Sequence, residues 1–335
     1  MTLMLIYAGI DEAGYGPMFG PLTVACAVLT LPEHDPAAGA PKLWSILRSA
    51  VAKQVALSKG RIVVCDSKRL KRSNADAGNP SRHPLAHLER GVLAFLATGG
   101  RSVPPDDRAF LETVAPGAWA QMACAPWYGG AALPIPLGND ATRLRIDSNV
   151  LGNALKRQGI ALDSLACHPL SEAQFNEAVG RVRTKSAASF HLVGRHLAAI
   201  MDKHGDHHPR VVVDRQGARM RYREPLQMLF PEAMIRILDE QDSISRYELT
   251  MDSQRMTITF TEKAESSHLP VALASMLAKY TRELLMIRFN RYFAALRPEL
   301  KPTAGYVEDG RRFLTDIEDL IDQHHLPRER LVRCC

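Results

Sequence analysis

No cysteine of this 335-residue chain stands in a CxxC pair or at a Cys/His ligand spacing. The six that occur (Cys26, Cys65, Cys124, Cys167, Cys334 and Cys335) are scattered. Cys26 and Cys65 sit inside apolar runs, where a thiol reads as a small buried hydrophobe. Zinc ligation and a disulfide framework are therefore not expected. No uninterrupted apolar stretch reaches the roughly 20 residues that span a bilayer. The opening MTLMLIYAGIDEAG has no basic leader and meets acids early, so a soluble, cytoplasmic chain is expected. Repeats and low-complexity tracts are missing too. The twelve histidines show no metal spacing, and His204, His207 and His208 read as a solvated loop cluster.

What is present is the composition of a globular protein with a real core: 46% hydrophobic and 23% charged residues. Lys plus Arg (42) exceed Asp plus Glu (36), giving a formal charge of +6. That excess is compatible with a polyanionic partner and does not demand one.

Short apolar runs alternate with amphipathic segments. LMLIYAGI (3–10) reads as a buried strand, and PLTVACAVLTL (21–31) as its hairpin partner. GRIVVCDSKRL (60–70) and RVVVDRQG (210–217) contain further strand-like runs. Residues 171–205 show helical periodicity, with Phe190, Val193, Leu197 and Ile200 on one stripe. Residues 269–296 read as one long helix or two abutting ones, with Pro270 tolerated in the first turn. GRRFLTDIEDLIDQHH (310–325) reads as a last amphipathic helix. Residues 72–84 and 99–141 read as loops or an insertion.

Three of these runs end in acids: Asp11-Glu12, Asp66 and Asp214. Ligands of open α/β sheets gather beyond strand ends, so acids far apart in sequence can converge there. Clustered carboxylates repel and are costly to desolvate unless cations neutralise them, and hard oxygen ligands suit magnesium or manganese. Two such ions about 4 Å apart serve phosphodiester hydrolysis. The glycine-rich turn after Asp11-Glu12 leaves room for a bulky backbone to approach. Strand-end acids also cap helices or face water, the better reading for any one of them; Asp66 is read as structural.

Five segments, in order, resemble the type 2 ribonucleases H, ribonuclease HII and its relative HIII. GIDEAGYGPMFGPLTVACAVL resembles their opening G-[IV]-D-E-A-G-R-G-P-x-x-G-P. CDSKRL resembles D-S-K-x-L, and VVVDRQG resembles the strand that ends in the third catalytic aspartate. KAESSHLPVALASMLAKYTRE resembles K-G-D…A-S-I-x-A-K-v-x-R-D, and AGYVEDGRRF resembles G-Y-P-T-x-x-H. About half the chain is covered; residues 72–180 have no counterpart.

The resemblance implies an α/β fold: a ribonuclease H-like mixed β-sheet flanked by helices. It would be one catalytic domain, 1–335, with an insertion at about 72–180 and a C-terminal helical part at about 269–335. It implies Asp11, Glu12, Asp214 and Glu265 as catalytic and metal-binding carboxylates, with Mg2+ or Mn2+ at a two-metal site. Gly14, Tyr15, Gly16, Ser67, Lys68, Ser275, Lys279 and Tyr306 match substrate-binding positions, and Lys185-Ser186 resembles a helix start near the same groove. The expected activity is endonucleolytic cleavage of RNA in RNA/DNA hybrids, or of ribonucleotides embedded in duplex DNA, by a monomer. The rivals are a nuclease of the same fold with another substrate and a decayed hybrid- or DNA-binding module. Two departures stand out. Gly14-Tyr15-Gly16 replaces G-R-G, leaving Tyr15 to stack on substrate or to pack against the insertion. Val307-Glu308 and Arg311 replace Pro-Thr and His.

Overall fold

The computed structural model describes residues 4–32, 34–35, 38–72, 83–217 and 219–334. β1 (Met4–Ala13) and β2 (Leu22–Pro32) pair antiparallel, Met4 opposite Pro32 and Ala13 opposite Thr23. A small parallel pair, β3 (Val51–Ala52) and β4 (Ile62–Val63), stands apart. β5 (Ala161–Leu170) adds to β2; β6 (Arg210–Asp214) lies parallel to β1. β7 (Met234–Gln241), β8 (Ile244–Met251) and β9 (Gln254–Thr261) form a meander whose last strand runs parallel to β6. The seven-stranded order is β5-β2-β1-β6-β9-β8-β7. This is a mixed sheet flanked by helices, the α/β architecture expected from the sequence.

Strand alternation divides the core. Leu5, Tyr7, Ala25, Ala27, Leu29 and Val212 point to one face, under the helix Leu269–Leu296 and the helices Ala86–Leu96 and Ala141–Arg157. Ile6, Ala8, Ile10, Cys26, Val28, Val211 and Val213 point to the other, where Phe190, Val193, Leu197 and Ile200 of the helix Lys185–His204 meet them. Covered on both sides, β1 and β6 read as continuous apolar runs rather than alternating ones. The helix Leu269–Leu296 is buried around most of its circumference through its first six turns, so no polar face marks it in the sequence.

Gly9 fixes how that helix meets the sheet. A Cβ there would lie 2.1 Å from Val271 N and 2.3 Å from Pro270 C, so the first helical turn rests directly on the β1 backbone. The helix start is thereby set two residues from Asp11.

Residues 72–180 are more than the expected insertion. Their last part supplies β5, an edge strand of the main sheet, because Cys167 and Leu165 bury inward while their neighbours stay half exposed. Within 99–141, expected as loops, Asp107–Val114 and Ala118–Met122 are helical, the first capped by Asp106. The expected loop 72–84 falls mostly on residues 73–82, outside the described residues. The final amphipathic segment is two helices, Val307–Asp316 and Glu318–Gln323.

Candidate active site

Register decides which acids meet. Gly9 lies opposite Val212 and Ile10 opposite Val213, so the same parallel register sets Asp11 beside Asp214 on one sheet face. Glu12, one residue on, turns to the other face. There its carboxylate accepts hydrogen bonds from Ser189 Oγ (2.5 Å) and Gln216 Nε2 (2.8 Å). Beyond β9 the chain makes a short turn, Ala264–Ser266, before the long helix. Ala264 N donates to Asp214 Oδ1 at 2.9 Å, and the Glu265 carboxyl shares a hydrogen bond with Asp214. Ser275, on the second turn of that helix, donates to Ser67 Oγ at 3.0 Å and stands beside the Asp11 carboxyl, whose ionised form it favours.

These groups line one cleft of about 320 Å³. Its walls hold Asp11, Glu12, Gly14, Tyr15, Gly16, Ser67, Lys68, Asp214, Glu265, Ser275, Lys279 and Tyr306, so all the candidate carboxylates and substrate-binding positions come together there. Asp66 reaches the same cleft while capping the short helix Ser67–Leu70, its carboxylate accepting from Lys68 N at 2.9 Å. Lys185 does not line it; Ser186 accepts a bond from Arg219 Nη2.

The electrostatics are unbalanced. Burial, and then the Asp214 charge, push Asp11 well above the usual carboxylate range, with Ser275 and the Glu12 N–H offsetting only part. Asp214 is pushed up to about 7, by burial first and then by Glu265 and Glu12, against the pull of the Ala264 N–H. Burial raises Glu12 as well, opposed by Ser189 and Gln216. Lys279 brings no relief, because its ammonium is held by Glu283 at 2.8 Å. Lys71 holds the same carboxylate at 3.1 Å, and these cations keep Glu283 low in spite of its burial.

Such a donor set suits a hard divalent cation: all oxygen, strongly negative when ionised, with Asp11 and Asp214 held above the usual carboxylate range. As placed, no three acid, histidine or cysteine side chains among the described residues close a ligand shell round one point. The fit is one of chemistry and placement.

Residues 210–313 match the family model of ribonuclease HII. Over this segment, about a third of the chain, the protein is similar to ribonuclease HII. The matched segment takes in Asp214, Glu265, Ser275, Lys279 and Tyr306; β1, with Asp11 and Glu12, lies outside it. Among solved structures, the chain is similar to that of the PCNA:RNase HII complex from Archaeoglobus fulgidus, at 15% identity and TM-score 0.39 over 98% of this chain and 94% of that one. It is similar to the ribonuclease H2 from Pyrococcus horikoshii OT3, at 14% identity and TM-score 0.39 over 98% and 92%. It is also similar to Bst-RNase HIII in complex with Mn2+, at 14% identity and TM-score 0.40 over 98% and 66%. No curated protein matches.

Against the type 2 ribonuclease H pattern, Tyr15 is the departure nearest the acids. It is half-buried and lines the cleft; Glu12, Arg219 and Arg333 are its charged neighbours, none of them in 72–180. Burial, then Glu12, raise its phenol above the ordinary value. Tyr306 is 50% exposed at the cleft edge, its ring resting over the buried Arg282 guanidinium at 5.8 Å. Sequence reasoning missed the residues that hold the site in place. Ser189 and Gln216 orient Glu12; Arg282 donates to Phe19 O (3.0 Å) and Ala304 O (3.1 Å), tying the glycine turn to the segment bearing Tyr306. Arg282 falls within the YTRE stretch of the resemblance, whereas nothing local marks Ser189 or Gln216.

Proposed function

We propose that this protein is a divalent-metal-dependent endoribonuclease that cuts RNA within an RNA/DNA hybrid or a ribonucleotide-containing DNA duplex. The observation that carries this reading is the pairing of Asp11 and Asp214 on one sheet face, buried and uncompensated, in a cleft whose other walls are a bare glycine turn, two lysines and an exposed tyrosine. Asp11, Glu12, Asp214 and Glu265 would hold Mg2+ or Mn2+. When bound, such ions neutralise developing charge on the phosphodiester and make a nucleophile of water at neutral pH.

The chain's own groups do the rest. Ser275 and Ala264 N–H hold the Asp11 and Asp214 carboxyls, and Ser189 with Gln216 holds Glu12, which limits the reorientation these acids need when charge arrives. Lys68 stands beside them as a cation for a substrate phosphate. Tyr306 offers an exposed ring for stacking, worth about 1–3 kcal/mol per base. An exposed 2′-hydroxyl in a wide, shallow minor groove is the feature that separates RNA from DNA at such a site.

The test is cleavage of end-labelled duplexes (RNA/DNA hybrid, one ribonucleotide in DNA, all-DNA) with Mg2+, Mn2+ or EDTA. Metal-dependent cuts at ribonucleotides, with the all-DNA duplex intact, are expected. Cleavage of all-DNA duplex, or cleavage that persists in EDTA, would overturn the reading.

A further inference from the structure

The glycine turn is held from below by residues that lie more than 300 positions away. Arg333 donates from Nη1 to Gly14 O and from Nη2 to Tyr15 O at 3.0 Å, and its own N–H donates to Met18 O at 2.9 Å. Its guanidinium lies over the Phe175 ring, 3.8 Å from the centroid, and the residue is 2% exposed. The segment that carries it is tied down separately. Asn176 Nδ2 donates to Glu329 O (2.7 Å) and Val332 O (2.8 Å), and Asn176 Oδ1 accepts from Cys334 N at 2.7 Å.

Peptide geometry gives these bonds a consequence. In a trans peptide the C=O and the following N–H point in opposite directions. Drawing Gly14 O and Tyr15 O onto Arg333 therefore aims the N–H groups of Tyr15 and Gly16 away from it. Both residues line the cleft, and neither N–H has a partner among the described residues. Gly14 holds φ at +87°, and a Cβ there would lie 2.6 Å from Arg282 Nε, so only glycine suits this position and two arginines pack beneath the turn.

We propose that Arg333 is a positioning residue for substrate: by clamping two successive carbonyls it presents the Tyr15 and Gly16 N–H groups to an acceptor on the nucleic acid, the ribose hydroxyl side included. The inference rests on the nuclease reading above. Lysine cannot replace the clamp, since one ammonium lacks the planar fork that spans two acceptors. The guanidinium's remaining buried edge, Nε, has no partner, so the group sits there at a cost.

The test uses the full chain in EDTA, where cleavage is silent, and compares binding of a labelled RNA/DNA hybrid with a DNA duplex of the same sequence. For the wild type the hybrid should bind more tightly. In Arg333→Ala that preference should fall about tenfold, the scale of losing charge-assisted bonds, and added methylguanidinium should restore part of it. Arg333→Lys should lose preference too while melting close to the wild type, and Asn176→Ala, which frees the segment without touching the arginine, should lose less. A folded Arg333→Lys or Arg333→Ala protein with the wild-type preference would overturn the proposal, since a merely structural arginine moves the melting temperature and not this ratio. Equal binding of both duplexes by the wild type would remove the nuclease reading, and this inference with it.

Discussion

Two regions of this protein bury charge, and they do so in opposite ways. Under the long helix, Arg288 and Asp107 form a pair that is almost wholly enclosed, at 0% and 1% side-chain exposure. Every acceptor there has a donor: Arg288 also reaches Tyr128 O (3.1 Å) and Gly129 O (2.9 Å), and Leu133 N donates to Asp107 at 2.8 Å. Nearby Glu89 accepts from the Leu137 and Gly138 N–H groups, Asn139 and Tyr280. At the ends of β1 and β6, by contrast, Asp11 and Asp214 face each other, and the nearest buried lysine is committed to Glu283. The first arrangement is complete without a ligand and serves the fold. The second leaves like charges facing each other, the arrangement that the proposed cation binding would relieve.

The contrast can be broken by single changes. Asp11→Asn should have the largest effect on function and an inverted one on stability. With metal contributing several kcal/mol to the transition state, cleavage of a hybrid should fall by more than about 10³-fold. The metal-free protein should melt at the same temperature or higher, because the change removes a like-charge contact. Near-normal turnover of this variant in Mg2+ would end the assignment of Asp11.

Arg288→Met makes the opposite wager. It leaves Asp107 buried and alone, so unfolding in urea should show a loss of about 3–5 kcal/mol. Hybrid cleavage per folded molecule should be unaltered. If Arg288→Met were as stable as the wild type, the compensated region would not be the structural anchor that its bonding suggests.

How legible was this contrast in the sequence? The acids were, because each ends an apolar strand-like run, and the glycine turn and the ASMLAKYTRE helix supplied local marks. What holds the site in place was not. Arg333 meets Gly14 across 319 positions and Glu12 meets Gln216 across 204, separations for which no local pattern exists. The meander β7–β9 was also hidden, since Arg236, Glu248 and Arg255 interrupt its apolar alternation with charges that pair across strands. β5 was obscured because an edge strand is only half-buried, and its flanking loops dominated the reading of 72–180.

A pH series tests the uncompensated region without mutation. Asp214 has a folded pKa near 7 against about 3.8 for a free side chain. Between those values the folded state binds more protons than the unfolded one, so stability falls as pH rises through that window. Metal-free protein should therefore melt higher at pH 5 than at pH 8 by this contribution. Asp214→Asn should flatten the difference, and adding Mg2+ at pH 8 should shrink it by binding the ionised acids. A slope that Asp214→Asn leaves untouched would place the titration elsewhere.

The smallest expected effect belongs to Tyr15, where the cleft departs from the family pattern. Its ring lies at the wall of the acid cleft with Arg219 and Arg333 already close, so a third cation there would be crowded. Tyr15→Arg adds a planar fork that can take a phosphate, provided the side chain swings outward from Arg333. The salt dependence of hybrid binding should then steepen by at most about one phosphate contact. The stacking surface lost with the ring should weaken binding at high salt, where the new charge is screened. The two effects cross: tighter binding than the wild type at low salt and weaker binding at high salt. Anisotropy titrations at four or five salt concentrations, read beside the melting temperature, separate this from a packing role. Parallel salt lines together with a lower melting temperature would mean that the ring supports the turn and does not meet the substrate.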